Sequence, residues 1–140
     1  MTSKVFLDTN IFPDHLLGRN SHSIDIIKFC ERKFLFGFAS SASFYTLAYI
    51  IERQIKKTAQ PILRDYSSFI ETIPTTQNNL NLALNSAFAD TEDAFQYYTA
   101  LSERDLNYFI TNNTKDFKSA QAKLPVVSAK EFMTIISKEL

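Results

Sequence analysis

Val5-Phe6-Leu7-Asp8-Thr9-Asn10 decides the reading of this chain. The three apolar residues have the length and β-rich composition of a buried strand, and helix-like sequence follows. A carboxylate just past such a strand stands at the carboxyl edge of a sheet, where open α/β folds put their ligand sites. The pattern recurs far along the chain. Tyr108-Phe109-Ile110-Thr111 reads as a strand, and Asn112-Asn113-Thr114-Lys115-Asp116 follows it. Two strand-end carboxylates so far apart in sequence can converge on one point. Converging carboxylates imply a divalent cation or acid–base chemistry.

The rest of the chain alternates in the same way. Ser21 and Ser23 are candidate caps for a helix through about residue 32, and Phe36-Gly37-Phe38-Ala39 reads as a second strand. A long helix from Ser41 or Ser43 to about residue 57 places Phe44, Leu47, Ala48, Ile51 and Ile55 on a 3.6-residue period. Pro61 suits the first turn of the next helix, with Leu63, Tyr66, Phe69 and Ile70 inward. Ile73-Pro74 reads as a short edge strand, since proline cannot donate to a ladder. Residues 79–87 read as a weak, asparagine-rich helix, and Asp90 or Thr91 caps another through about residue 103. Val126-Val127 is the last strand, and Ser128-Ala129-Lys130-Glu131 fits a capping box that opens a C-terminal helix. Strands alternating with helices predict an α/β fold: a three-layer α/β/α sandwich with a mostly parallel central sheet.

Composition sets the outer bounds. At 140 residues the expectation is one domain spanning residues 1–140, with a sizeable core. With 45% apolar and 21% charged residues, the chain has ordinary globular composition. No apolar run is long enough to span a membrane, and Met1-Thr2-Ser3-Lys4 carries no secretory pattern. A single cysteine, Cys30, excludes an internal disulfide and a cysteine metal cluster, and makes a reduced, cytoplasmic setting the default. Fifteen basic and fifteen acidic residues cancel, so any nucleic-acid surface must be local.

Asp8, Asp90, Glu92, Asp93 and Asp116 are the acids whose positions matter. Each has an ordinary reading. Asp90, Glu92 and Asp93 suit a helix start, where capping and the macrodipole favour acids; Asp8 can cap a helix; Asp116 can be a turn residue. Their joint placement at one sheet edge favours a site. Clustered like charges need a cation to be stable at neutral pH, and oxygen-only ligands select Mg²⁺ or Mn²⁺ over Zn²⁺.

The sequence resembles the PIN-domain family, which includes many metal-dependent ribonucleases and the VapC-type toxins of bacterial toxin–antitoxin pairs. The motifs that carry the resemblance are Val5-Phe6-Leu7-Asp8-Thr9-Asn10-Ile11 with Leu16-Leu17-Gly18-Arg19, then Asp90-Thr91-Glu92-Asp93-Ala94-Phe95-Gln96-Tyr97 with Ala100, then Phe109-Ile110-Thr111-Asn112-Asn113-Thr114-Lys115-Asp116-Phe117, and the tail from Leu124 to Phe132. The resemblance implies catalytic metal-ligand roles for Asp8, Asp93 and Asp116, with Asp90 or Glu92 completing the site. It implies Asn112 as a polar helper. It further implies an RNA substrate, an antitoxin protein as partner, a homodimer, and two-metal phosphodiester hydrolysis. The family's second motif places a glutamate on the helix after strand two; here Thr46 stands there. A hydroxyl is a poor cation ligand, so a scaffold with weakened catalysis that binds RNA or protein is the rival reading.

Other residues carry less. Arg19 lies beside the expected site and is a candidate for substrate phosphate, with Thr9 and Asn10 at the strand end. His15 and His22 read as solvated, Cys30 as core, and Arg53, Lys56, Lys57 and Arg64 as a solvated helix face. Without an adjacent histidine–acid set, Ser41 and Ser43 are caps and not nucleophiles. Tyr97 and Tyr98 read as packing residues. A carboxylate-metal phosphatase is disfavoured, because no Asp-x-Asp pair follows strand one.

Overall fold

The computed structural model describes residues 2–120 and 123–139; residues 1, 121, 122 and 140, which the expected 1–140 domain also includes, lie outside them. Along the chain run β1 (Lys4–Leu7), α1 (Ile11–Leu16), α2 (Ser21–Glu31), β2 (Phe36–Ser40), α3 (Ser41–Ile50), α4 (Ala59–Ser67), β3 (Ile70–Ile73), α5 (Gln77–Leu84), α6 (Thr91–Leu101), β4 (Tyr108–Ile110), β5 (Val126–Val127) and α7 (Ala129–Glu139). The strands form one sheet in the order β3-β2-β1-β4-β5, and every pairing is parallel. All carboxyl ends therefore share one edge, with β1 central.

Side-chain alternation along the strands divides the core. Val5, Leu7, Ala39 and Ile110 face one layer, built by α1, α2, α3, α4 and α7 through Ile11, Phe12, Ile26, Leu47, Tyr66 and Phe132. Phe6, Phe38 and Phe109 face the other, where α6 brings Tyr97 and Ala100 and α5 packs on α6. Phe6 and Phe109 stack at 5.1 Å between ring centroids. Both faces are buried, which is why the strands read as continuous apolar runs.

Local chemistry moves several boundaries from their expected places. Asn20, and neither Ser21 nor Ser23, caps α2: its side-chain oxygen accepts the Ser23 N–H at 2.9 Å, and Ser23 itself is buried. Ser40, not Ser41 or Ser43, caps α3 by accepting the Ser43 N–H at 3.0 Å. The expected single helix over 41–57 changes pitch after Ile50. It continues as a π-turn over Ile51–Ile55 and stops at Lys56, which is left-handed at φ 63°. Ile70 belongs to β3 and not to the preceding helix, so the edge strand runs Ile70–Ile73 with Pro74 just past it. α5 starts two residues earlier than expected and ends at Leu84. Thr76 and Asn79 form a reciprocal capping box there. α6 ends at Leu101 rather than near residue 103. The other expected caps hold: Asp90 caps α6, and Ser128 and Glu131 form the capping box of α7 at 3.0 and 2.9 Å.

Candidate functional site

Asp8 is the residue immediately past β1. Its N–H extends the ladder by donating to the Ile110 carbonyl at 2.9 Å, so the strand pairing itself fixes where its carboxylate stands. That carboxylate is 3% exposed. Oδ1 accepts the Thr9 N–H at 2.8 Å, and Oδ2 accepts the Thr111 hydroxyl at 2.8 Å and the Asn10 amide at 3.4 Å. Burial pushes its pKa up to about 6, the hydrogen bonds from Thr111 and Thr9 oppose the rise, and the charges of Glu92 and Asp90 add to it.

The start of α6 supplies the next acids. Asp90 accepts the Asp93 N–H at 3.0 Å, which is an ordinary cap. Asp116 sits in a 3₁₀ turn over Thr114–Phe117 just past β4, and its Oδ2 accepts the Asn113 amide. Carboxylate oxygens of Asp90, Asp93 and Asp116 all lie within 4.8 Å of one another. Asp93 is half-buried, yet its Oδ2 is sealed from solvent and has no hydrogen-bond partner among the described residues. Burial pushes the Asp93 pKa up to about 7, reinforced by Asp8, Asp90, Asp116 and Glu92 in that order. An orphaned carboxylate oxygen inside a ring of like charges is an arrangement that could hold a hard divalent cation.

The expected residues thus divide. Asp93, Asp116 and Asp90 form the tight group, and Asp8 stands behind it, coupled to Asp93 through its charge. Glu92 is exposed at the rim. Asn10 bridges Asp8 and Thr111 and also accepts the Asn112 N–H at 3.3 Å. The Asn112 side chain points to the helix layer, donating to Asp14 at 2.8 Å and Ser23 at 3.0 Å. Arg19 is ion-paired to Asp14 at 3.0 Å. Neither Asn112 nor Arg19 bonds an acid of the group. The Thr9 hydroxyl is buried against Ser43 at 2.7 Å. Thr46 lies one turn past Ser43 on α3, half-buried.

Sequence reading missed four polar residues around the acids: Thr111, Ser40, Ser43 and Gln96. Ser40 and Ser43 both donate to Gln96 Oε1, at 3.0 and 3.1 Å. The available signal was a glutamine three residues past Asp93, on the helix's buried side, facing a serine-rich strand end.

A family model for the PIN domain matches residues 4–115. No curated protein matches the chain. Three solved structures resemble it. A VapBC from Salmonella typhimurium bound to DNA is 18% identical with a TM-score of 0.67, covering 91% of this chain and 99% of that one. VapBC2 from Rickettsia felis, bound to a DNA fragment from their promoter, is 18% identical with a TM-score of 0.66, covering 89% and 98%. A toxin–antitoxin complex from Klebsiella pneumoniae is 21% identical with a TM-score of 0.66, covering 89% and 97%. At such identities the likeness establishes the fold.

Proposed function

The chain belongs to the PIN-domain family, and from that premise we propose that it is a Mg²⁺- or Mn²⁺-dependent endoribonuclease that serves as the toxin of a toxin–antitoxin pair. The observation that carries the reading is the acid group: Asp90, Asp93 and Asp116 within 4.8 Å, with the buried Asp93 Oδ2 unpartnered. Asp8, Asp93 and Asp116 hold the cation. Asp90 both caps α6 and lends an oxygen, while Glu92 adds charge from the rim. When bound, the cation polarises water and neutralises charge on the scissile phosphodiester.

The protein's own part is to keep these carboxylates fixed in place. Thr9 and Thr111 clamp the two oxygens of Asp8, and Asn113 fixes one oxygen of Asp116. Asn10 ties the β1 end to Thr111. Arg19 is exposed and its partner Asp14 is near the same edge, so it can exchange that partner for an RNA phosphate. Asn112 supports the site by joining α1 and α2 behind it. The antitoxin partner is supported by the toxin–antitoxin complexes among the solved relatives. Exposed Tyr45 and Tyr49 on α3 suit a homodimer contact. Among the described residues no helix is long and apolar enough to cross a membrane, and we place the protein in the cytoplasm as a single domain.

Thr46 favours a second reading, a PIN scaffold with weakened catalysis that binds RNA or protein, because the α3 carboxylate is missing. One experiment separates the two. Purified protein should cleave RNA with Mg²⁺ or Mn²⁺, lose the activity in EDTA, and lose it in the Asp8→Asn/Asp116→Asn double variant. RNA binding without cleavage at any Mn²⁺ concentration would establish the scaffold reading.

A further inference from the structure

Gln96 is a buried polar side chain, 4% exposed, on the face of α6 that packs against the sheet. Its Oε1 collects the hydroxyls of Ser40 and Ser43. Ser43 in turn pairs with the Thr9 hydroxyl at 2.7 Å, and the Ser43 N–H donates to Ser40. Proton accounting gives this network a direction. Each hydroxyl has one hydrogen to donate. If Thr9 donates to Ser43, then Ser43 and Ser40 both donate to Gln96, and every hydroxyl proton is used once. Gln96 is the end acceptor. An apolar residue there would remove that acceptor: Ser40 would turn to Ser43 at 3.1 Å and Ser43 to Thr9, leaving the network one buried hydroxyl proton too many and its direction reversed.

The network also has a place. One end is Thr9, whose N–H holds Asp8 Oδ1. The other is Gln96, one helical turn past Asp93. Thus four buried polar residues, Thr9, Ser40, Ser43 and Gln96, join the strand that carries Asp8 to the helix that carries Asp93. An apolar contact between β2 and α6 would pack these elements with less desolvation cost. Directed hydrogen bonds fix a separation, which apolar contacts do less well. That matters for two like-charged groups that repel one another. It matters more in a chain whose α3 offers Thr46, one turn past Ser43, where a carboxylate would have shared the cation.

We infer that Gln96 is a positioning residue of the acid site, holding Asp93 at its working distance from Asp8 through the Ser40–Ser43–Thr9 hydroxyl network. The inference rests on the cation-site reading above and assigns Gln96 no contact with cation or RNA.

The test is Mn²⁺ binding to the full-length protein by calorimetry, with urea unfolding in parallel. Residues that orient metal ligands typically change metal affinity by about 10–100-fold when replaced. Gln96→Leu should therefore weaken Mn²⁺ binding by about tenfold or more. Ser43→Ala should weaken it through the same route, so the Gln96→Leu/Ser43→Ala double variant should bind no worse than the weaker single one. Additive losses would overturn the network as the carrier. If Gln96→Leu fails to fold, Ser40→Ala and Ser43→Ala carry the test, since each removes one hydroxyl and leaves the acceptor. Variants that unfold at lower urea yet bind Mn²⁺ like wild type would show that Gln96 is structural only. Wild-type protein that binds no Mn²⁺ would overturn the cation-site reading itself, and this one with it.

Discussion

Asp93→Asn should stabilise the metal-free protein, and the pH dependence of the gain is its signature. The substitution keeps the shape of the side chain and removes one charge from the ring formed with Asp8, Asp90 and Asp116. In the folded chain Asp93 holds its proton up to about pH 7, against an ordinary value of 3.8. A folded-state pKa above the unfolded value means that the folded chain binds the proton more tightly. The cost of the charge is therefore absent below pH 3.8, grows as pH rises, and is complete above about pH 7. For a fully sealed group that interval converts to about 4 kcal/mol. Asp93 is half-open to solvent, and screening cuts this to about 1–2 kcal/mol. Urea unfolding in EDTA should show the variant level with wild type near pH 4 and about 1–2 kcal/mol more stable at pH 8. Saturating Mn²⁺ should reverse the order, because only wild type gains from tight binding, by about 2.7 kcal/mol at a hundredfold excess over Kd. A variant that is less stable by the same amount at both pH values would refute the reasoning. Asp93 would then be a structural hydrogen-bond hub, not a strained ligand.

Thr46→Glu should raise Mn²⁺ affinity, since it returns a carboxylate to α3 one turn past Ser43; an unchanged calorimetric Kd would place position 46 outside the site. Glu92→Gln should weaken Mn²⁺ binding less than tenfold, below about 1.4 kcal/mol, because Glu92 is exposed; a loss equal to that of Asp93→Asn would make it a direct ligand. Gly37→Ala should destabilise the fold by about 1–3 kcal/mol, because a Cβ there would lie 2.7 Å from Ile70 Cδ1 and 2.8 Å from Cys30 Sγ. Adding Ile70→Val, which removes the nearest atom, should recover part of that loss in urea titrations. Light scattering should give twice the 16.0 kDa chain mass, reverting to the monomer in a Tyr45→Ser/Tyr49→Ser variant, since both rings stand open on α3 at 78% and 59% exposure; a wild-type monomer at tens of micromolar would argue against a homodimer.

What the sequence discloses and what it hides follow one physical rule. Features set by residues close in the chain are legible. Val5-Phe6-Leu7 is apolar on both sides because both faces of β1 are covered, and a run of that kind in a parallel sheet puts the following Asp8 at the carboxyl edge without further information. The same holds for Asp116 past β4 and for Asp90 at the head of α6. Features set by partners distant in the chain are not legible. Ser23 looks like a helix cap, yet it is buried and receives a hydrogen bond from Asn112; the neighbouring Asn20 has the longer reach and takes the cap. The change of pitch after Ile50 has no breaker in the sequence to announce it. Gln96 is the sharpest case. Within α6 it stands among Ala94, Tyr97 and Ala100 and reads as a lone polar interruption. Its meaning lies in Ser40 and Thr9, from the ends of two strands, and Ser43, from the first turn of α3, which meet it only when the sheet closes. Asp8 shows the same limit from the other side. Its place at the edge was legible, but its depth was not: Thr111, itself fully buried, draws its Oδ2 inward. Depth raises its pKa and sets it behind the acids that gather at the surface. The chain thus spells out where its carboxylates lie along the sheet edge, while the hydroxyl groups that set their separation emerge only from packing.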